Sequence, residues 1–306
     1  MNIIAINLFK TLFRNAINFL LVMIGITMIV LLPTMFFNAE GAFTPLNYLH
    51  NCWSMFSELL TGDFGTYYPT IDLYLRDVNQ RSIIQDLLPF MLKSAKIFIP
   101  GLLLGIGMGI LIAFIFTLFG KKARAILNRS SVLLISFPDF VIIVLLQVLF
   151  ITINQKTGIR FVSPISSNLH GDAWLLPVLS LSVLPMFLTI RFAMEGIQEV
   201  YAKDYILLAY SKGLNRVEVL IKHVLANVIT RIFSNFTTIF MMVISNLVIV
   251  EQLFNTKGIS FFYFDFYPKL SEKSLIIMIM VFWLIGLVIR ETTERFLKKI
   301  ERNYQI

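Results

Sequence analysis

The sequence predicts an all-α, polytopic membrane protein with six transmembrane helices and both termini cytoplasmic. Three observations carry this reading. The 306 residues are 57% hydrophobic and only 14% charged, whereas a soluble domain carries roughly 25% charged residues. The apolar residues are gathered into long blocks, not spread over amphipathic elements, and mean hydropathy is +0.79. The lysines and arginines, finally, fall unevenly on the two sides of those blocks.

A bilayer core needs about 20 mostly apolar residues per helix. Six stretches reach or approach that length: 16–37, 97–119, 131–153, 174–190, 232–254 and 274–289. The fourth and sixth are short and are expected to extend by a turn. Lys10 and Arg14 precede the first as they would a secretory signal, but its apolar run exceeds the roughly 7–15 residues of a signal core, so it reads as a span.

Seventeen of the 26 lysines and arginines lie on the side that holds both termini. Lys10, Arg14, Lys121, Lys122, Arg124, Arg129, Arg191, Lys203, Lys212 and Arg216 are among them, against nine opposite, including Arg76, Arg160, Lys269 and Lys273. Basic loops stay inside, which places both termini in the cytoplasm. The net charge of +8 then reflects topology and lipid headgroups, with no call for nucleic acid. Two connections are long, one of about 50 residues outside after the first span and one of about 40 inside after the fourth, and long connections are more often functional than idle. The chain divides into residues 1–90, the first helix with its external segment, and 91–306, a five-helix core carrying the inner loop at about 191–231.

Several chemistries are disfavoured. Cys52 is the only cysteine, so no intrachain disulfide or multi-thiolate site forms. His50, His170 and His223 show no metal-ligand spacing, and no metal site or cofactor is expected in this chain. No G-x-x-x-x-G-K-[ST] loop is present, so energy for any active transport enters through a partner. Only Asp139 lies well inside a span, with Glu251 near the outer end of the fifth. No ionisable relay crosses the membrane, which weakens the rival reading of an ion-coupled secondary carrier.

Asp139 has two readings. It could line a solute path, or Ser136-Phe137-Pro138-Asp139 could be a capping box restarting a helix broken at Pro138. Gly101, Gly105 and Gly109 put three small residues on one face of the second span, suited to close approach of another helix. In the inner loop, a helix runs through Tyr205-Ile206-Leu207-Leu208-Ala209 and stops at Lys212-Gly213. Asn215 with Glu218 forms a capping box that starts a second helix, with Val217, Leu220, Ile221, Val224 and Leu225 at helical spacing. Two short helices bent at a glycine could fill a groove on a cytoplasmic partner, or lie on the membrane surface.

These residues carry a resemblance. Asp204-Tyr205, Ala209, Lys212-Gly213-Leu214, Val219, His223 and Asn227, with Arg191 and Glu199, are similar to the inner loop of permeases of dipeptide, oligopeptide and nickel ABC importers. Gly62-Asp63-Phe64-Gly65 resembles that family's external G-D-[LF]-G signature. Ser136–Phe140, Leu175-Leu176-Pro177 and Glu251-Gln252-Leu253-Phe254 through Gly258-Ile259 resemble its later motifs, in order along nearly the whole chain. Where the family loop reads T-A-R-A-K-G, this one reads Leu208-Ala209-Tyr210-Ser211-Lys212-Gly213.

The resemblance implies a type I ABC importer permease fold in the plasma membrane of a bacterium. It implies partners: a second, paralogous permease, two ATPase subunits that bind ATP and Mg, and an external solute-binding protein. The loop residues Asp204, Tyr205, Ala209, Lys212, Gly213, Leu214, His223 and Asn227 would then dock on the ATPase. Asp63 is a candidate contact for the binding protein, although Gly62 and Gly65 could equally just shape turns. Peptides are the leading cargo, with nickel or a metal–chelator complex as alternative.

Overall fold

The computed structural model describes residues 2–36, 43–67, 81–158, 174–266 and 272–304. His170, Arg76, Arg160, Lys269 and the stretches 37–42 and 68–80 of the external segment lie outside the described residues. Among the described residues six helices are long and apolar enough to cross a membrane: Phe13–Met35, Ile83–Leu118, Asp139–Thr157, Leu175–Tyr201, Phe236–Phe254 and Glu272–Leu297. The chain forms two compact units, Met1–Leu88 with Phe262–Ile285, and Pro89–Phe261 with Gly286–Ile306. The first thus takes in a late segment that the sequence reading assigns to the five-helix core.

In the first unit, α1 (Asn2–Leu31) ends in a 3₁₀ turn at Leu32–Met35, and α2 (Pro45–Leu60) opens with proline at its first position, where the missing N–H costs nothing. The Tyr48 hydroxyl donates to the Met28 carbonyl at 2.8 Å, and Leu31, Tyr48 and Cys52 form a buried cluster, so α2 lies along α1. Met23 packs with Ile276 and Met280 of α12 (Glu272–Tyr304). Two residues per strand, Thr66–Tyr67 and Arg81–Ser82, pair antiparallel as β1 and β2. This small ladder is an addition to the all-α expectation.

The second unit is organised on α6 (Leu175–Tyr201). Of its most apolar 18-residue window 61% is buried, against 6% for α5 (Asp139–Thr157), so α6 is central and α5 peripheral. Around α6 pack α4 (Lys121–Ile135), α5, α9 (Leu225–Ser234) and α10 (Phe236–Phe254). The glycine stripe of α3 (Ile83–Leu118) also lies on α6. A Cβ on Gly101 would stand 3.2 Å from Leu181 Cδ2; on Gly105, 2.8 Å from both Pro185 Cγ and the Ser182 carbonyl; on Gly109, 2.7 Å from Thr189 Cβ. At Gly105 and Gly109 only hydrogen fits against the α6 backbone.

Two expectations need correction. The third apolar stretch, 131–153, is not one helix: α4 stops at Ile135 and α5 starts at Asp139. Ser136 is also no N-cap. Its hydroxyl donates back to the Val132 carbonyl at 2.9 Å, and Pro138 holds the cap position without a side-chain bond. Proline there disfavours helical backbone at the residue before it, which explains the break without a capping box.

Candidate functional site

The inner loop is built from the end of α6, α7 (Asp204–Ser211), α8 (Arg216–Val219), one π turn at Leu220–Val224 and α9. α6 runs on to Tyr201, so the expected first helix divides at Ala202-Lys203 before Asp204 opens α7. The α7 stop is a complete Schellman arrangement. Gly213 N donates to the Tyr210 carbonyl at 2.9 Å and Leu214 N to the Ala209 carbonyl at 3.3 Å, with Gly213 at φ +84°, a conformation only glycine adopts freely. Two residues on, the start is equally complete. Asn215 Oδ1 accepts from Glu218 N, and Asn215 N donates to Glu218 Oε2, both at 2.9 Å, the reciprocal pair of a capping box.

This elbow sorts its apolar residues by face. Ile206, Ala209, Val219, Leu220 and Val224 are buried, whereas Leu207 is 68% exposed, Leu208 56%, Val217 47% and Ile221 57%. The tip therefore offers leucine, valine and isoleucine outward from both arms. Asp204, Tyr205, Lys212 and Gly213 are exposed beside them, and Leu214 is half-buried. The Tyr205 and His223 rings lie 6.2 Å apart, and Asn227 Nδ2 donates to the His223 carbonyl at 2.9 Å, holding a carbonyl of the π turn. Tyr210, which stands in the place of the family arginine, hydrogen-bonds Tyr201 and ties α7 to the end of α6.

Sequence reasoning missed the clamp behind the elbow. Glu195 accepts from Arg191 Nε at 3.3 Å and from Arg231 Nη2 at 3.2 Å, linking α6 to α9. It also missed the purpose of Glu251. That carboxylate, 2% exposed, accepts from the Ser94 hydroxyl of α3 and from Ser260 N at the start of α11 (Ile259–Phe266). Ser94 Oγ in turn accepts from Ile259 N at 2.8 Å. A buried carboxylate satisfied by several donors at a helix start is favourably placed. α10 ends in its own Schellman turn with Asn255 at φ 50°, Asn255 N donating to Gln252 O and Thr256 N to Glu251 O.

In the first unit, Asp63 sits in a built turn. Gly62 and Gly65 have φ +83° and +76°, Asp63 Oδ1 accepts from Gly65 N at 3.0 Å and Oδ2 from Lys273 Nζ at 2.8 Å. Lys273 also pairs with Glu58. The hydrogen bond from Lys273 is the main cause holding both carboxyls below their ordinary values. Asp139 is half-buried in the first turn of α5.

The profile of the family described as binding-protein-dependent transport system inner membrane component matches residues 105–301. The chain belongs to this family and is the permease component of an ABC importer, a multi-pass membrane protein. It is 28% identical over 234 residues to dipeptide transport system permease protein DppB of Lactococcus lactis subsp. cremoris, covering 75% of this chain and 72% of that one. Over 245 residues it is 24% identical to glutathione transport system permease protein GsiC of Salmonella choleraesuis, covering 78% and 74%. The fold is similar to the MetNI methionine ABC transporter in inward-facing form, with TM-score 0.52, 13% identity and coverage of 71% of this chain and 97% of that one. An amino acid ABC transporter solved with histidines gives TM-score 0.52 at 14% identity, covering 76% and 100%.

Proposed function

We propose that this chain carries peptides or peptide-like solutes into a bacterial cell, with both termini cytoplasmic, as one of two permeases. The other members are a second, paralogous permease, two ATPase subunits that bind ATP and Mg, and an external solute-binding protein. Relatives named for dipeptide and glutathione transport support the cargo class, since both cargoes contain peptide bonds. The observation that carries the coupling role is the elbow: Leu207, Leu208, Val217 and Ile221 stand exposed at its tip. Apolar anchors projecting together suit a groove on a partner.

In this reading Asp204, Tyr205, Ala209, Lys212, Gly213, Leu214, His223 and Asn227 dock on or shape the surface that docks on the ATPase. Asp139, at the break between α4 and α5, lines the solute path. Asp63, whose side chain is 60% exposed, contacts the binding protein. Reconstitution of the chain with its partner permease, ATPases and binding protein in liposomes tests this. ATP hydrolysis stimulated by di- to oligopeptides, and only with the binding protein present, is expected. Stimulation by nickel or a metal–chelator complex alone would overturn the cargo, and uptake driven by an ion gradient without ATP would overturn the mechanism.

A further inference from the structure

A cavity of about 320 Å³ opens between the start of α4 and the end of α6, lined by Lys121, Arg124, Ala125, Gln198, Tyr201 and Ala202. The Arg124 guanidinium lies over the Tyr201 ring, 4.6 Å from its centroid. That stacking leaves its Nε buried with no hydrogen-bond partner. Arg216 reaches the same end of the unit, donating to the Leu118 carbonyl. Among the described residues no carboxylate pairs with Lys121, Arg124 or Arg216. Lys121 and Arg124 thus line one hollow with no carboxylate set against them, which is a site short of its anion.

The surroundings identify the anion. α4 begins beside the last turns of α6 and leads into α5, so its later residues lie on the membrane side of the cations. Leu127 and Ser131 face inward, while Ile126 is 65% exposed, Val132 42% and Leu133 65%. A free phosphate would use the cations and leave this apolar strip uncovered. A phospholipid uses both: phosphate in the hollow, acyl chains along the strip.

We propose that the cavity between α4 and α6 seats the headgroup phosphate of an anionic phospholipid, with Lys121 and Arg124 as its ligands. The site adjoins Tyr201, which is bonded to Tyr210 of the elbow, so its occupant would brace the joint between α6 and α7. The proposal rests on membrane insertion of the chain and not on the peptide reading, and its test reads lipid retention without any transport.

The test is native mass spectrometry of the full chain, offered phosphatidylglycerol and phosphatidylcholine with identical acyl chains in equal amounts. Wild type is expected to retain phosphatidylglycerol about tenfold over phosphatidylcholine, as expected for one to two cationic contacts at about 1 kcal/mol each. Lys121→Gln with Arg124→Gln should bring the ratio to about one, while Lys122→Gln, outside the lining, leaves it unchanged. Ala125→Phe fills the hollow at constant charge and should also abolish the preference, which keeps the test open should the double variant misfold. A wild-type ratio near one, an equal loss in Lys122→Gln, or an unaffected Ala125→Phe would overturn the proposal. So would displacement of the lipid by inorganic phosphate alone, which identifies a free-anion site. Weakened ATPase association in the double variant with lipid retention intact would assign the cavity to a protein partner instead.

Discussion

Gly258 stands so close to Glu251 that a Cβ on it would overlap the carboxylate. The glycine of this motif is therefore required by its own glutamate seven residues earlier, which needs the space to reach Ser260 N and Ser94. Gly258→Ala must push Glu251 off these donors or shift α11. A loss of about 2 kcal/mol is expected, as for an overpacked core site that also loses a buried hydrogen bond. Thermal unfolding of the detergent-solubilised chain checks it, with Gly25→Ala, where nothing lies within 4 Å, as the neutral control.

The glycine stripe makes a sharper comparison within one helix. Gly105→Ala and Gly109→Ala drive a methyl into α6 backbone carbonyls and should each cost about 1–3 kcal/mol. Gly107 lies two residues from each and has nothing within 4 Å of a built Cβ. Gly107→Ala is expected to be neutral or slightly stabilising, since alanine is the better helix former. Equal melting of all three would mean that α3 does not rest on α6.

At Gly213 the space around a built Cβ is open, so only the backbone at φ +84° opposes a side chain. Gly213→Ala should cost about 1 kcal/mol of loop stability. Gly213→Val, less able to take left-handed backbone, is expected to leave the complex assembled or weakened and to cut ATP-driven uptake by about tenfold, or 1.4 kcal/mol of coupling. Undiminished uptake by the valine variant would remove Gly213 from the coupling role.

Glu58 and Asp63 lie below their ordinary values of 4.5 and 3.8, chiefly through the hydrogen bond from Lys273. Lowered carboxyls stabilise the folded form fully above those ordinary values, and that contribution fades as pH falls through the lowered ones. The protection factors of amides 58–66, corrected for the intrinsic pH dependence of exchange, should therefore fall as the pH drops below about 4, with little change between pH 6 and 8. Lys273→Met should quicken exchange at neutral pH and flatten the acid response. An acid response unchanged in Lys273→Met would dissociate it from this pairing.

Local signals in the sequence were informative where the interaction itself is local. The capping box of Asn215 and Glu218 and the stop at Gly213 are spelled within seven residues, and both are present as bonds. The glycine stripe shows on one helix, but its partner does not, because Leu181, Pro185 and Thr189 lie some 80 residues away. Still longer separations, 157 and 210 residues, hide Ser94 from Glu251 and Asp63 from Lys273: a lone charge carries no sign of what it meets. The π turn at Leu220–Val224 leaves apolar spacing almost intact and so has no signature in periodicity. The break at Pro138 is visible, but hydropathy alone draws one continuous span across it.

The elbow between α7 and α8 closes its own accounts at both ends: the stop uses Tyr210 and Ala209 as acceptors, the start uses Asn215 and Glu218 reciprocally. No backbone group named at this joint waits for an outside partner, so contact with another protein need not order it first. It behaves as a crank already stiff before a hand is laid on it. On the proposed coupling role, a push at Leu207 or Ile221 would pass to α6 and α9, which the Arg191–Glu195–Arg231 clamp links, with little of the stroke lost in bending the joint.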